Sequence, residues 1–155
     1  MTVSSKTKNK EIPKEERLNA AKEELLMVQD IAAEIYNSRQ NEPNENLLIR
    51  NFYYSVYHLI KCISIIDSGL NYSSHHALIS YFCRANNNHF LSKYDIELGE
   101  DVNYGLNRLF SLRDQYDYND RLVDEEDYLE AEGIWKKIYT ELDNACTKIV
   151  STQIS

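Results

Sequence analysis

The side chains best placed for chemistry in this chain lie in the stretch LFSLRDQYDYND, residues 109–120. On a helix Arg113 sits four residues beyond Leu109 and seven beyond Leu106, so its guanidinium projects from an apolar seam and must find partners there. Asp117 falls on the same face, with Tyr116 and Tyr118 on either side of it. One reading is an internal Arg113 to Asp117 ion pair that closes a helix, which is ordinary structure. The other is an anion or phosphodiester site: Arg113 holds a phosphate bidentately, and Tyr118, His58 or His75 hydrogen-bonds or moves a proton. Histidine suits that work because its ordinary pKa lies near neutrality, although a histidine on a helix is also common as a half-buried polar residue.

A second unusual segment is RNFYYSVYHLIKC, residues 50–62, which places Arg50, Tyr53, Tyr54, Tyr57 and His58 on what should otherwise be plain core. His75 and His76 are adjacent, so on a helix they point about 100° apart and do not easily share a metal. His89, among asparagines, reads as solvent exposed. The three cysteines, Cys62, Cys83 and Cys146, are far apart and without CxxC spacing, which makes them buried thiols of a reducing compartment rather than zinc ligands. No metal site and no cofactor are expected.

The elements that must position these residues follow from apolar spacing. Leu18, Ala21, Leu25, Val28, Ala32 and Ile35 recur at three and four residues, with Pro13 well suited to the start, and predict a first helix over about 14–38. NSRQNEPNEN breaks the pattern, after which Leu48, Phe52, Val56, Leu59, Ile63 and Ile66 give a second stripe that Gly69 ends. Ser73 or Ser74 can cap a short third helix, with Ala77 or Leu78, Tyr81 or Phe82 and Ala85 inward. A fourth runs from Asp101 through Val102, Leu106, Leu109 and Phe110 to Arg113. Asp124 caps a fifth, striped by Tyr128, Ala131, Trp135, Ile138, Leu142, Ala145 and Ile149. Five amphipathic helices without a strand signal predict an all-α antiparallel bundle. The stretch from about 86 to 100 is the one long connection, and connections of that length are often functional.

The totals agree. A chain of 155 residues with 4 Gly and 2 Pro fits one helical domain, here 13–150, between a Lys-, Ser- and Thr-rich arm expected to be disordered over 1–12 and a frayed end at 151–155. A formal charge of -8 argues against a broad electrostatic grip on nucleic acid but leaves room for a local basic pocket. No stretch approaches the roughly 20 apolar residues of a membrane span, and the polar start has no signal-peptide core, so a cytoplasmic, non-membrane protein is expected.

Three pieces in order, RNFYYSVYH at 50–58, SSHHALISYF at 73–82 and LRDQYDY at 112–118, followed by a long amphipathic helix, resemble a HEPN domain (higher eukaryotes and prokaryotes nucleotide-binding). The likeness runs from about 15 to 150 and is nearest to the small stand-alone prokaryotic branch in which an arginine precedes an Asp-Tyr pair, here Arg113, Asp117 and Tyr118. It implies a bundle of four to five helices, commonly a homodimer whose shared cleft is lined by the segments after the fourth helix. It further implies a role in a toxin-antitoxin, antiphage or stress system, often beside a nucleotidyltransferase. Active relatives are metal-independent endoribonucleases whose motif is an arginine, a polar residue and, four to six positions after the arginine, a histidine. Arg113 and Asp114 match the first two elements, but positions 117–119 are Asp117, Tyr118 and Asn119. In some family pairs a tyrosine two positions after that histidine is adenylylated; Tyr118 is out of register for this. The resemblance therefore implies binding of nucleotide, RNA or a partner nucleotidyltransferase through an Arg113-centred cleft approached by Arg50, Tyr54, His58 and His75. The alternative it implies is a ribonuclease toxin with a degenerate motif, using Arg113, Asp114, Asp117 and Tyr118, with His75 or His58 supplying the imidazole. Tyr53 and Tyr57, with Phe52 and Val56, are expected to fill the core or a dimer seam.

Overall fold

The computed structural model describes residues 9–41, 44–117 and 122–154. These form an all-α antiparallel bundle of five helices: α1 (Arg17–Gln40), α2 (Glu45–Ser68), α3 (His75–Asn87), α4 (Asp101–Asp117) and α5 (Glu125–Ile154).

Helix boundaries are set by short-range chemistry. The Asn44 side chain accepts from the Leu47 amide at 3.1 Å to open α2, and the Ser74 hydroxyl accepts from the Ala77 amide at 3.0 Å to open α3. Asp124 does the same for α5, its carboxylate accepting from the Glu126 amide at 2.9 Å. Gly69 stops α2 in the left-handed region at φ 71°, where a side chain is strained, and its amide donates back to the Ile65 carbonyl.

The organising element is α2, which packs against each of the other four helices. Its interior residues are therefore buried on nearly every side, including Phe52, Tyr53, Leu59 and Ile63. Val28 and Ile35 of α1, Leu78 and Phe82 of α3, Leu106 and Leu109 of α4, and Ile138 and Leu142 of α5 close the core around it. Trp135 stacks on Phe52 with ring centroids 4.9 Å apart, and its indole N–H donates to Ser55 Oγ at 2.8 Å. No helix among the described residues is long and apolar enough to cross a membrane.

The edges of the bundle differ from the sequence-based expectation. The described end of the N-terminal arm is tied down: β1 (Lys10–Glu11) pairs antiparallel with β2 (Leu70–Asn71), and the Ile12 amide donates to the Gly69 carbonyl at 2.7 Å. The left-handed turn at Gly69 makes this possible by sending the chain out of α2 extended, beside the arm. A 3-10 turn over Lys14–Glu16 then leads into α1, which begins at Arg17 rather than near 14. At the other end α5 continues to Ile154, with residues 151–154 exposed but helical. The long connection is also ordered. It contains a 3-10 turn, Phe90–Tyr94, and is held by the Gly99 amide donating to Glu141 Oε1 at 2.7 Å and by side-chain hydrogen bonds at Asn103, which accepts from Asn86 Nδ2 and donates to Asn87 Oδ1.

Candidate functional site

The site forms where α2, α3 and α4 meet. Arg113 leaves the apolar seam of α4 as its spacing requires, and only 6% of the residue reaches solvent. Rings receive it: the guanidinium carbon lies 5.3 Å from the centroids of both Tyr53 and Tyr54 and 5.9 Å from that of Phe110. Nη2 donates to the Tyr54 hydroxyl at 3.1 Å. Asp117, one turn on, approaches Nη1 at 3.7 Å, an ion-pair distance beyond hydrogen-bond range, and it is exposed at the helix end. Buried Nε has no hydrogen-bond partner.

His75 opens α3, and its ring stacks on Tyr57 at 4.2 Å and lies 5.8 Å from Tyr54. Its Nδ1 meets the Tyr53 hydroxyl at 2.5 Å. Burial pushes the Tyr53 phenol well above its ordinary pKa, so Tyr53 keeps its proton; His75 Nδ1 is its one hydrogen-bond partner among the described residues, and we assign the hydroxyl as the donor. Burial also lowers the His75 pKa, and the Arg113 charge lowers it further, so the imidazole is neutral near pH 7 and carries its proton on Nε2. The second imidazole takes the opposite arrangement. His58 Nδ1 lies 2.7 Å from Glu24 Oε1 of α1, while Lys61 stands 3.8 Å from the other carboxylate oxygen. In neutral His58 the Nδ1 proton is given to Glu24, and Nε2 is left as an acceptor. The His58 ring lies 5.1 Å from Tyr57 and 6.3 Å from Tyr54. One guanidinium and two imidazoles are thus gathered around a cluster of tyrosines.

Of the residues predicted from sequence, Arg113, Tyr54 and His75 come together directly, with Asp117 at the margin. Arg50 is exposed and reaches the cluster through Tyr54, its guanidinium carbon 5.6 Å from that ring. His58 joins through ring contacts but is bonded to Glu24, not to Arg113. Asp114 is exposed on α4, and Tyr118 lies outside the described residues. Tyr53 and Tyr57 are buried as expected, yet they also hold His75, which the sequence reading did not foresee. Glu24 and Phe110 were not singled out for the site. The available signal for Glu24 was an acid on the apolar stripe of α1, between Ala21 and Val28.

Among the described residues no three His, Cys, Asp or Glu side chains converge to hold a metal ion. Cys62 and Cys146 are buried in the core, where a hydrogen bond to Cys62 and burial push the Cys146 thiol far above its ordinary range, so Cys146 holds its proton at neutral pH. No family model matches the chain, and neither a curated protein nor a solved structure matches it.

Proposed function

We propose that the protein is a HEPN-like binding module of a toxin-antitoxin, antiphage or stress system, which takes a phosphate-bearing ligand, nucleotide or RNA, in the cleft centred on Arg113. The observation that carries this reading is the state of Arg113 itself. A buried guanidinium ordinarily has a carboxylate in bidentate hydrogen-bond contact. Here the carboxylate stands 3.7 Å away and exposed, Nε has no partner, and one hydrogen bond to the Tyr54 hydroxyl and the surrounding rings supply the remaining stabilisation. An anion entering beside Asp117 would complete the coordination. The acidic chain suits a compact ligand held at one point better than a long nucleic acid tracked along a surface. A homodimer and a companion nucleotidyltransferase belong to the same reading.

Calorimetric titration with mononucleotides, short RNA and inorganic phosphate tests it. Arg113→Ala should weaken binding roughly 10- to 100-fold, the worth of one or two charge-assisted hydrogen bonds. Arg113→Lys should recover little, because a point charge does not reproduce the planar fork. Tyr54→Phe, which frees Nη2, should fall between these and the wild type while remaining folded. Undiminished binding by Arg113→Ala, together with a clear loss of its thermal stability, would leave Arg113 as a structural staple.

A second reading, a metal-independent endoribonuclease, is favoured by the complementary imidazoles. His58 Nε2, oriented by Glu24, could take the ribose 2′-hydroxyl proton while Arg113 and the His75 Nε2–H bind the phosphate oxygens. Specific fragments from tRNA incubated with wild type in chelator, and none with His58→Ala or Arg113→Ala, would establish it over simple binding.

A further inference from the structure

We propose that a second, contiguous pocket between α1 and α2 reads the base of the bound ligand, and that the base is guanine. This inference deepens the phosphate-binding reading and rests on it for the position of the phosphate.

The pocket has a volume of about 480 Å³ and is lined by Ile31 and Glu34 of α1 and by Leu47, Arg50, Asn51 and Tyr54 of α2. Its composition is that of a base site: two half-buried aliphatic side chains, an aromatic ring and a guanidinium plane beside it, and two polar groups, an amide that can donate and a carboxylate that only accepts. Asn51 is the informative member. It is 7% exposed, and its Nδ2 is buried with no partner. A buried amide donor left unmade is costly, and one such group in a pocket wall is accounted for when a ligand carbonyl reaches it. Glu34 is exposed at the rim and supplies acceptors only.

The donor and acceptor complement narrows the base. Guanine presents O6, an acceptor, beside N1–H and N2–H, two parallel donors that a single carboxylate can take together. Asn51 Nδ2 would serve O6, and Glu34 the two donors. Asn51 alone would not separate the purines, since adenine can accept at a ring nitrogen; the carboxylate would, because adenine offers it one amine, uracil one N–H, and cytosine no second donor beside its amine. Arg50 would cover the ring face, as arginine does with unstacked bases.

Tyr54 joins the two sites. Its ring borders the pocket, with Arg50 5.6 Å from the centroid, and its hydroxyl accepts from Arg113. A base and a phosphate of the same nucleotide, or of neighbouring ones in a strand, can therefore address Arg50 and Arg113 from one bound ligand.

The test is calorimetric titration of the full chain with GMP, AMP, guanosine, adenosine, inorganic phosphate, and the RNA pentamers UUGUU and UUAUU. Glu34 is exposed, so Glu34→Gln folds and serves as the principal variant. The expected result is a guanine preference of about tenfold or more, the value of one bidentate base contact, in the mononucleotides, the pentamers or both. Glu34→Gln should collapse that preference and leave inorganic phosphate binding unchanged, whereas Arg113→Ala should weaken GMP and phosphate alike and keep the preference. Preference in the pentamers alone would identify the source as an RNA strand; preference in GMP, a free nucleotide. Equal affinity for guanine and adenine ligands throughout, or a preference that survives Glu34→Gln, would overturn the proposal. Phosphate binding without base selectivity would remove this inference and leave the Arg113 site standing. Guanosine preferred over adenosine with no phosphate binding would do the reverse.

Discussion

His75 stacks on Tyr57, and two of its other interactions depend on its being neutral: it accepts from Tyr53 and faces the Arg113 charge across the cluster. Its pKa is lowered on folding, first by burial and then by Arg113. The unfolded chain therefore binds a proton near the ordinary value of about 6.5 while the folded protein does not, and stability falls as pH drops through that point toward the lower folded pKa. Above about pH 7 the penalty is absent. Thermal midpoints between pH 7.5 and 5.5 should drop more steeply for wild type than for His75→Gln, which cannot titrate. Parallel slopes would mean that His75 titrates in the folded protein as it does in the unfolded chain. The same neutrality decides what His75 does for a ligand, since it then offers a hydrogen bond from Nε2 and no charge. Arg113 is left as the cation of the cluster itself, with Arg50 beyond Tyr54.

At the level of elements, α4 and α5 approach closely where Gly105 faces Ile134 and Ile138. A Cβ added there would meet branched methyl carbons at 2.9, 3.1 and 3.2 Å. Overpacking of that kind costs roughly 1–3 kcal/mol, and the gain in helix propensity, at most about 1 kcal/mol, offsets only part of it. Gly133, on the facing helix, has nothing within 4 Å of a Cβ. Gly105→Ala should therefore lower stability by about 1 kcal/mol, and Gly133→Ala should raise it by a similar amount, a difference that urea melts resolve. Equal effects of one sign would mean that the helices are not this close. Such helix-to-helix relations are where the sequence stops being informative. The stripes of Ala21, Val28 and Ile35, or of Leu106 and Leu109, show which face of a helix is buried, because periodicity is a local property. They do not show that Glu24 will meet His58 from a different helix, since that pairing is set by how α1 lies on α2. For the same reason the spacing that placed Arg113 on an inward face said nothing of Tyr53, Phe110 or the unpartnered Nε. The Lys10 to Asn71 bridge escaped notice because two residues of strand carry no alternation to read. Caps fared better: Ser74, Asp124 and Gly69 act on amides or conformations within a few residues of themselves.

For the molecule as a whole, the placement of α2 decides how it unfolds. Every other helix buries part of its apolar face on α2, so removing any one of them exposes residues such as Phe52 or Leu59 that the others also need covered. That mutual dependence favours a single cooperative transition over stepwise loss of helices. The one tryptophan reports on it directly, because Trp135 of α5 stacks on Phe52 of α2 and is bonded to Ser55. Guanidinium unfolding followed by Trp135 fluorescence and by helical circular dichroism should give superimposable curves with one midpoint. Fluorescence changing ahead of helicity would mean that α5 leaves a bundle which persists without it, and α2 would then not be the common support. A ligand seated at Arg113 draws on side chains from α2, α3 and α4 together, so if the unfolding is cooperative its binding should shift both curves by the same amount, as linkage to one folded state requires.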